Sequence, residues 1–307
     1  MKKRIALLMT VLLTVALFAG CGGDKKETAA TEATKETAAP AGTEAAKETK
    51  EAAKGEESQA EKETKEGVSD GDMAYVKEKG TLVVGITDYA PMDYKDESGE
   101  WIGFDADMAK AFAETLGVEV EFVEIAWDNK IFELEGKSID CVWNGMTLTP
   151  EVTSSMDCSN PYCQNSQVVI VPADKADQYQ DVESLSELSF AVEAGSAGEA
   201  EATKLGLEFT QVGQQADALM EVAAGTSDAA VIDSLMAGAM VGEGTSYADL
   251  TYTVILNGDD GEVFGVGFRK GSDLTAALNE FFAESYADGS LMKCAETYGV
   301  QAAVIQQ

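Results

Sequence analysis

The pattern of this chain changes near Thr81, and that change decides which part can fold. Residues 22 to about 71 are dominated by Glu, Lys, Thr and Ala, with no aromatic side chain and hardly any aliphatic one larger than Ala. Such a tract has no apolar stripe with which to dock, and Thr, Gly and Pro40 interrupt any helix it starts. It reads as a solvated tether over residues 21–71. From Thr81 onward, short apolar runs alternate with amphipathic stretches that end in glycine, the pattern of a layered α/β fold. Residues 82–86 form a buried strand. Gly103-Phe104-Asp105 then opens a helix with Asp105 as N-cap, Phe104, Met108, Phe112 and Leu116 on one face, and Gly117 as its stop. Val118, Val120 and Phe122 alternate with Glu119 and Glu121 as a strand with one wet face. Another helix starts at Trp127-Asp128 and closes at Gly136, and residues 139–143 form the next strand. The second half repeats the theme, with strands over 167–171, 190–192 and 229–232 and helices over 198–205, 214–224 and 273–287.

Charge narrows the function. Of the 307 residues, 55 are Asp or Glu against 22 Lys or Arg, a net charge of −33, and His is absent. A chain without His forms no Ser-His-Asp or Cys-His nucleophile pair and no imidazole zinc site. No metal ligand and no catalytic residue is singled out. The negative charge repels a phosphate backbone and excludes nucleic acid as a partner. With 45% hydrophobic residues the patterned part still has a sizeable core to bury. At the start, Lys2, Lys3 and Arg4 precede an uncharged apolar run from Ile5 to Phe18, which reads as an export signal over residues 1–20. Ala19-Gly20-Cys21 resembles a lipobox, where bacterial envelope proteins are cleaved and acylated, so Cys21 is the expected lipid anchor. The plainer alternatives are an ordinary signal peptide with an incidental Cys, or an uncleaved helix. The run is short for a membrane span.

A series of short motifs carries a more specific signal. In order they are Gly85 with Tyr89-Ala90-Pro91, Gly103 to Asp107, Ala126-Trp127-Asp128, Asn144 to Glu151 and Ser159-Asn160-Pro161-Tyr162. Ala194-Gly195-Ser196, Ser227 to Asp233 and Phe264 to Gly271 follow. No single motif is diagnostic. Their order and spacing resemble the family 3 extracellular solute-binding proteins, the amino-acid receptors of ATP-driven (ABC) importers. The resemblance implies a two-lobed, periplasmic-binding-protein-like type II α/β fold, each lobe a mixed sheet flanked by helices, joined by two crossover strands. Lobe 1 is expected over 72–165 and 263–307, lobe 2 over 166–262, and hinges near 164–168 and 263–266. The expected protein is a monomer without cofactor, lipid-anchored to the outer face of the cytoplasmic membrane, closing over a solute and docking on a membrane permease.

The same resemblance implies the site. Tyr89 falls where an aromatic ring covers the ligand, Met92 where a second aromatic is frequent, and Trp127 on the wall; packing is the bland reading of each. The Gly145 carbonyl and the Thr147 hydroxyl and NH match groups that bind a ligand ammonium and carboxylate, and Asn144 adds an amide. Asp233 matches the acid that pairs with the ammonium, although an Asp there also suits the N-cap of a helix starting near Ser234; Asp88 has the same ambiguity. Gly195, Ser196 and Ala197 precede a helix whose free NH groups can cradle a carboxylate.

One departure matters. After Thr149-Pro150-Glu151 the family usually places an Arg that grips the ligand carboxylate, and this chain has Val152. Besides Arg4 the sole Arg is Arg269, in the returning segment; Lys130 and Lys204 are the remaining cations to consider. A lost charge-assisted bond is worth about 1–3 kcal/mol. Either the ligand is an amino acid held chiefly at the Ser196 helix terminus, or it is a cationic amine for which Asp233, Asp88 and Glu193 dominate. A dehydratase acting on prephenate-like acids and a tethered ligand sensor with a separate receptor are the alternative functions. Cys141 is expected to pack as a small apolar residue, and a Cys158–Cys163 bridge is permitted for an exported chain without being required.

Overall fold

The computed structural model describes residues 71–258 and 261–307. The expected leader, Cys21 and all but the last residue of the expected tether lie outside them. The described chain opens with α1 (Asp72–Lys79) and β1 (Thr81–Ile86), then a small hairpin of β2 (Tyr94–Lys95) and β3 (Trp101–Ile102). Next come α2 (Phe104–Leu116), β4 (Glu119–Glu124), a 3-10 turn over Trp127–Asn129 leading into α3 (Lys130–Glu135), β5 (Cys141–Val142), α4 (Pro150–Ser155) and β6 (Asp157–Cys158). From β7 (Cys163–Asn165) the chain enters the second lobe: β8 (Gln167–Pro172), β9 (Ser189–Glu193), α5 (Ala197–Leu205), β10 (Glu208–Val212), α6 (Gln215–Ala224), β11 (Ala229–Asp233), α7 (Ser234–Met240) and β12 (Leu250–Ile255). It returns through β13 (Glu262–Phe264) to β14 (Gly267–Phe268), α8 (Leu274–Asp288) and α9 (Ser290–Tyr298).

Two five-stranded mixed sheets result, ordered β4-β1-β5-β14-β6 and β10-β9-β11-β8-β12. In the first, β1 runs parallel to β4 and β5, while β14 is antiparallel to β5 and β6. In the second, β9 runs parallel to β10 and β11, and β8 is antiparallel to β11 and β12. Between them β7 and β13 pair antiparallel, with Glu262 opposite Asn165. This two-stranded ribbon is the double connection of a two-lobed α/β fold.

Local chemistry explains the elements that position the site. On α2, Phe104, Met108 and Phe112 are buried, and Gly117 ends the helix at φ 73°, a conformation that suits a residue without Cβ. Asp105 is not the cap of this helix; Gly103 occupies that position. Asp105 is fully buried in the first turn, where its Oδ2 accepts the Gly145 N–H and the Tyr162 hydroxyl. The helix therefore reaches across to hold the loop after β5. The strands over 208–212 and 250–255, which lack a strong alternating signal, are sheet edges whose outward residues stay exposed. Helix α1 also escapes the sequence pattern, because Val76 is its one buried residue. Cys141 is fully buried as expected, and Cys141, Cys158, Cys163 and Cys294 are all free thiols.

Arg269 lies away from any cleft. Its guanidinium pairs with Asp72 and Asp140 and donates to the Leu134 and Ile139 carbonyls, tying α1, α3 and β14 to the first sheet. Asp140 is fully buried and also accepts the Val83 N–H. Lys79 Nζ also pairs with Asp140, so loss of Arg269 leaves that acid one cation and costs less than the roughly 3–5 kcal/mol of a fully stranded buried charge. We expect Arg269→Met to lower unfolding free energy by about 1–3 kcal/mol in urea titrations, with the slope unchanged.

Candidate ligand-binding cleft

A cavity of about 240 Å³ opens where the carboxyl ends of the second sheet's strands meet the loops of the first lobe. The first lobe lines it with Tyr89, Trp127, Lys130, the loop after β5 from Asn144 to Thr147, and Thr149 with the first turn of α4. The second lobe contributes Glu193, Gly195, Ser196, Ala197, Ala200, Gln215 and Asp233. The lobes touch across it. Lys130 Nζ donates to the Gly195 carbonyl at 2.8 Å and to the Trp127 carbonyl at 3.1 Å, with its ammonium 4.9 Å from the Trp127 ring centre. The Asp88 N–H donates to Gln214 Oε1, and a Cβ on Gly195 would lie 2.7 Å from Asp128 Cα. The conformation is closed.

Tyr89 is buried, edge-on to Phe264, and its hydroxyl has no partner among the described residues. Burial, followed by the Asp233 and Asp105 carboxylates, pushes its phenol well above the usual range. Its ring leaves no room for a side chain at position 145, where φ is +54° and a Cβ would sit 2.4 Å from the ring. Glycine is thus required twice over, by conformation and by contact. Ser196 caps α5, its Oγ accepting the Glu199 N–H, so the helix begins at the cavity wall with Ala197 as first residue.

Asp233 ends β11 and is buried. It occupies the N-cap position of α7, as the plainer reading has it, but its side chain makes no cap bond to that helix. Instead Oδ1 accepts amide donors from Asn165 and Gln167, and Oδ2 accepts one from Gln215. Burial, followed by the Glu262 carboxylate, raises its pKa to about 7 against these donors. Glu193 ends the neighbouring strand β9, and its Oε1 is buried without a partner among the described residues. Burial, followed by Asp233, lifts Glu193 to about 8. Lys130 is lowered by burial despite the acids around it.

Three expectations need correction. Met92 is fully buried in the first lobe's core and absent from the cavity wall. A tight turn, in which the Met92 N–H bonds the Tyr89 carbonyl, swings it inward, and its own carbonyl accepts from Asp105 and Ala106 at the start of α2. Asp88 also lies outside the wall, at the contact between lobes, its carboxyl raised by burial and by Glu124. Asn144 lines the cavity, but its amide is spent: Oδ1 accepts from Thr87 N–H and hydroxyl, and Nδ2 donates to the Thr87 carbonyl and Asp93. Lys204 pairs with Glu201 on the surface, whereas Lys130 is in the cleft. The Thr147 hydroxyl donates to Glu262 Oε1 at 2.8 Å. Gln215, Glu262, Asn165 and Gln167 had no motif to announce them, because each acquires its role by touching Asp233 or Thr147 from a distant part of the chain.

The sequence signature described as bacterial extracellular solute-binding proteins, family 3, matches residues 82–301. The chain belongs to this family. The arginine-binding extracellular protein ArtP of Bacillus subtilis is 30% identical over 70% of this chain and 84% of its own length. The L-cystine-binding protein TcyJ of Escherichia coli is 28% identical over 75% of this chain and 86% of its own. Among solved structures, a histidine-bound ABC-transporter substrate-binding protein of Streptococcus pneumoniae is 27% identical with a TM-score of 0.69, covering 76% of this chain and 99% of its own. An ancestral amino-acid-binding protein, a precursor of cyclohexadienyl dehydratase, is 33% identical with a TM-score of 0.67, covering 74% and 98%.

The cleft wall carries an excess of acids, Glu151, Glu193 and Asp233 against one Lys130. Asp233 and Glu193 hold protons in the folded protein up to pH of about 7 and 8, whereas unfolded carboxyls release theirs near pH 4. Between those limits the folded state binds more protons, so stability falls as pH rises. The thermal midpoint of the ligand-free protein should drop from pH 5.5 to 8, and Asp233→Asn combined with Glu193→Gln should flatten much of that slope in a calorimetric pH series. Asp105, raised to about 7 by burial, and Asp93, raised well above the usual carboxylate range by burial and by Asp105, contribute in the same direction.

Proposed function

We propose that the protein is an extracytoplasmic receptor of an ABC importer, binding a polar amino acid or related amine between its lobes and handing it to a permease. The observation that carries this reading is Asp233: a buried carboxylate, fixed by three side-chain amides, on the wall of a closed cavity. A ligand ammonium there neutralises a charge that is otherwise held at a desolvation cost. The cavity volume suits one amino acid, and its aromatic walls, Tyr89 and Trp127, expel water from the ion pair.

The ligand carboxylate faces the N-terminus of α5 and Lys130, since Val152 offers no guanidinium. Contacts from both lobes make the closed state the one the ligand prefers, and the β7–β13 ribbon is the hinge. Lipidation of Cys21, a tether over 21–71 and a monomeric state complete the picture of a receptor held at the outer face of the cytoplasmic membrane. A dehydratase would bring a dicarboxylate against Glu193 and Asp233 with only Lys130 to receive it, and no observation favours that arrangement.

Isothermal titration of the purified protein with L-arginine, L-histidine, L-cystine and L-glutamine tests the reading, with the decarboxylated analogues as controls. At least one amino acid should bind, and Asp233→Asn should weaken it about tenfold or more, the worth of a charge-assisted bond, while leaving the protein folded. Equal affinity for an amine and its parent amino acid would show that the carboxylate is not held. An unchanged dissociation constant in Asp233→Asn would remove that residue from the site.

A further inference from the structure

The returning crossover strand carries an acid that reaches the cleft through other residues. Glu262 Oε1 accepts the Thr147 hydroxyl at 2.8 Å, the Asn165 amide at 2.7 Å and the Gln167 amide at 2.8 Å, and Oε2 accepts from Asn257. Asn165 and Gln167 are the same two amides that donate to Asp233 Oδ1. Each NH2 group has two hydrogens, one for each carboxylate. Glu262 lies opposite Asn165 in the β7–β13 ribbon, and Gln167 lies opposite Asp233 between β8 and β11. Two strand registers therefore place one pair of amides between two acids.

We propose that Glu262 is a positioning residue that sets the polarity of the ammonium subsite: it takes the Thr147 hydroxyl proton and orients the shared amides, so that Thr147 Oγ and Asp233 both meet the ligand as acceptors. The inference rests on the reading of Asp233 as the ammonium partner. A hydroxyl has one proton to give. Once it is given to Glu262, only lone pairs remain for the cavity, and these fit an N–H donor and repel a carboxylate oxygen. The hinge strand thereby decides which end of an amino acid enters where, and the arrangement exists only while β13 and β7 are paired in this register.

Charge couples the two acids as well. Asp233 is faced by Glu262 from β13, Glu193 from β9 and Tyr89 from the loop after β1, with the neutral amides of Gln215, Gln167 and Asn165 around it; Lys130 faces Glu193 across the cleft. After burial, Glu262 is the leading cause of the upward displacement of Asp233. A ligand ammonium must displace that proton to solvent, so affinity for it grows with pH until Asp233 is ionised.

The test is a calorimetric pH series from 5 to 8.5 on the intact protein and on Glu262→Gln, Glu262→Asp and Thr147→Val, with L-arginine, L-histidine, L-cystine and L-glutamine as probes. In the unaltered protein the dissociation constant should weaken below pH of about 7. In Glu262→Gln that break should move down by about one pH unit as a neighbouring negative charge is lost. At pH 8.5 the variant should bind about tenfold more weakly, because a side-chain amide can donate to Thr147 and turn its hydroxyl towards the cavity as a donor. Glu262→Asp should restore the break. Thr147→Val should lose affinity similarly at pH 8.5, and combining it with Glu262→Gln should add little further loss there. A uniform loss at every pH with the break unmoved, or losses at Thr147 and Glu262 that simply add, would overturn the proposal while leaving the receptor reading intact. If none of the four amino acids binds the unaltered protein, both fall.

Discussion

Everything at the centre of this molecule follows from keeping carboxylates ionisable where water is excluded. Burying an ion costs several kcal/mol even after the surroundings relax, and a charge-assisted hydrogen bond returns about 1.5–3. Asp233 is given three amide donors, from Asn165, Gln167 and Gln215, and is still displaced towards neutral pH. Its desolvation is incompletely offset by the protein alone. A cationic partner at this carboxylate would supply the remainder, which is the electrostatic basis of the proposed ammonium contact.

The donors come from the segments that connect the lobes and from the first turn of α6. The cavity wall and the β7–β13 ribbon are consequently one hydrogen-bonded unit. Asn165 illustrates this: its Nδ2 serves Asp233 and Glu262, while its Oδ1 accepts from the Ser234 hydroxyl and the Leu235 N–H at the start of α7. A change in the pairing of β7 with β13 cannot leave the cavity chemistry unaltered. The first lobe answers with its own buried acids, Asp93 and Asp105, which hold Asn144 and the Gly145 N–H and so fix the loop that faces Asp233.

Much of the fold was legible because its signals are local. Gly117 stops α2 by accepting a positive φ, and the apolar face of Phe104, Met108 and Phe112 appears at helical spacing. The edge strands β10 and β12 were illegible because half their residues face solvent and no uniform apolar run marks them. At the site, Tyr89, Trp127, Gly145, Thr147, Ser196 and Asp233 were readable from motif order, and all reach the cavity. Met92 and Asp88 were misread for one reason: a tight turn rotates Met92 into the core and leaves Asp88 at the lobe contact, and motif position does not report the direction in which a turn aims a side chain. Asn144 does line the cavity, but that its amide is already engaged was illegible because its partners, Thr87 and Asp93, are far away in sequence.

The amino-acid sequence alone determined the family, the α/β alternation, the absence of imidazole chemistry and the loss of a guanidinium at Val152, since each depends on which residues are present and how they are spaced. Only the tertiary structure decided that Asp88 stays off the cavity wall, which amide is already spent, that Arg269 braces the first sheet, and that Glu262 lies behind Thr147 and Asp233. Those facts depend on burial and on contacts between residues tens of positions apart, and burial is a property of the folded surface that no local pattern encodes.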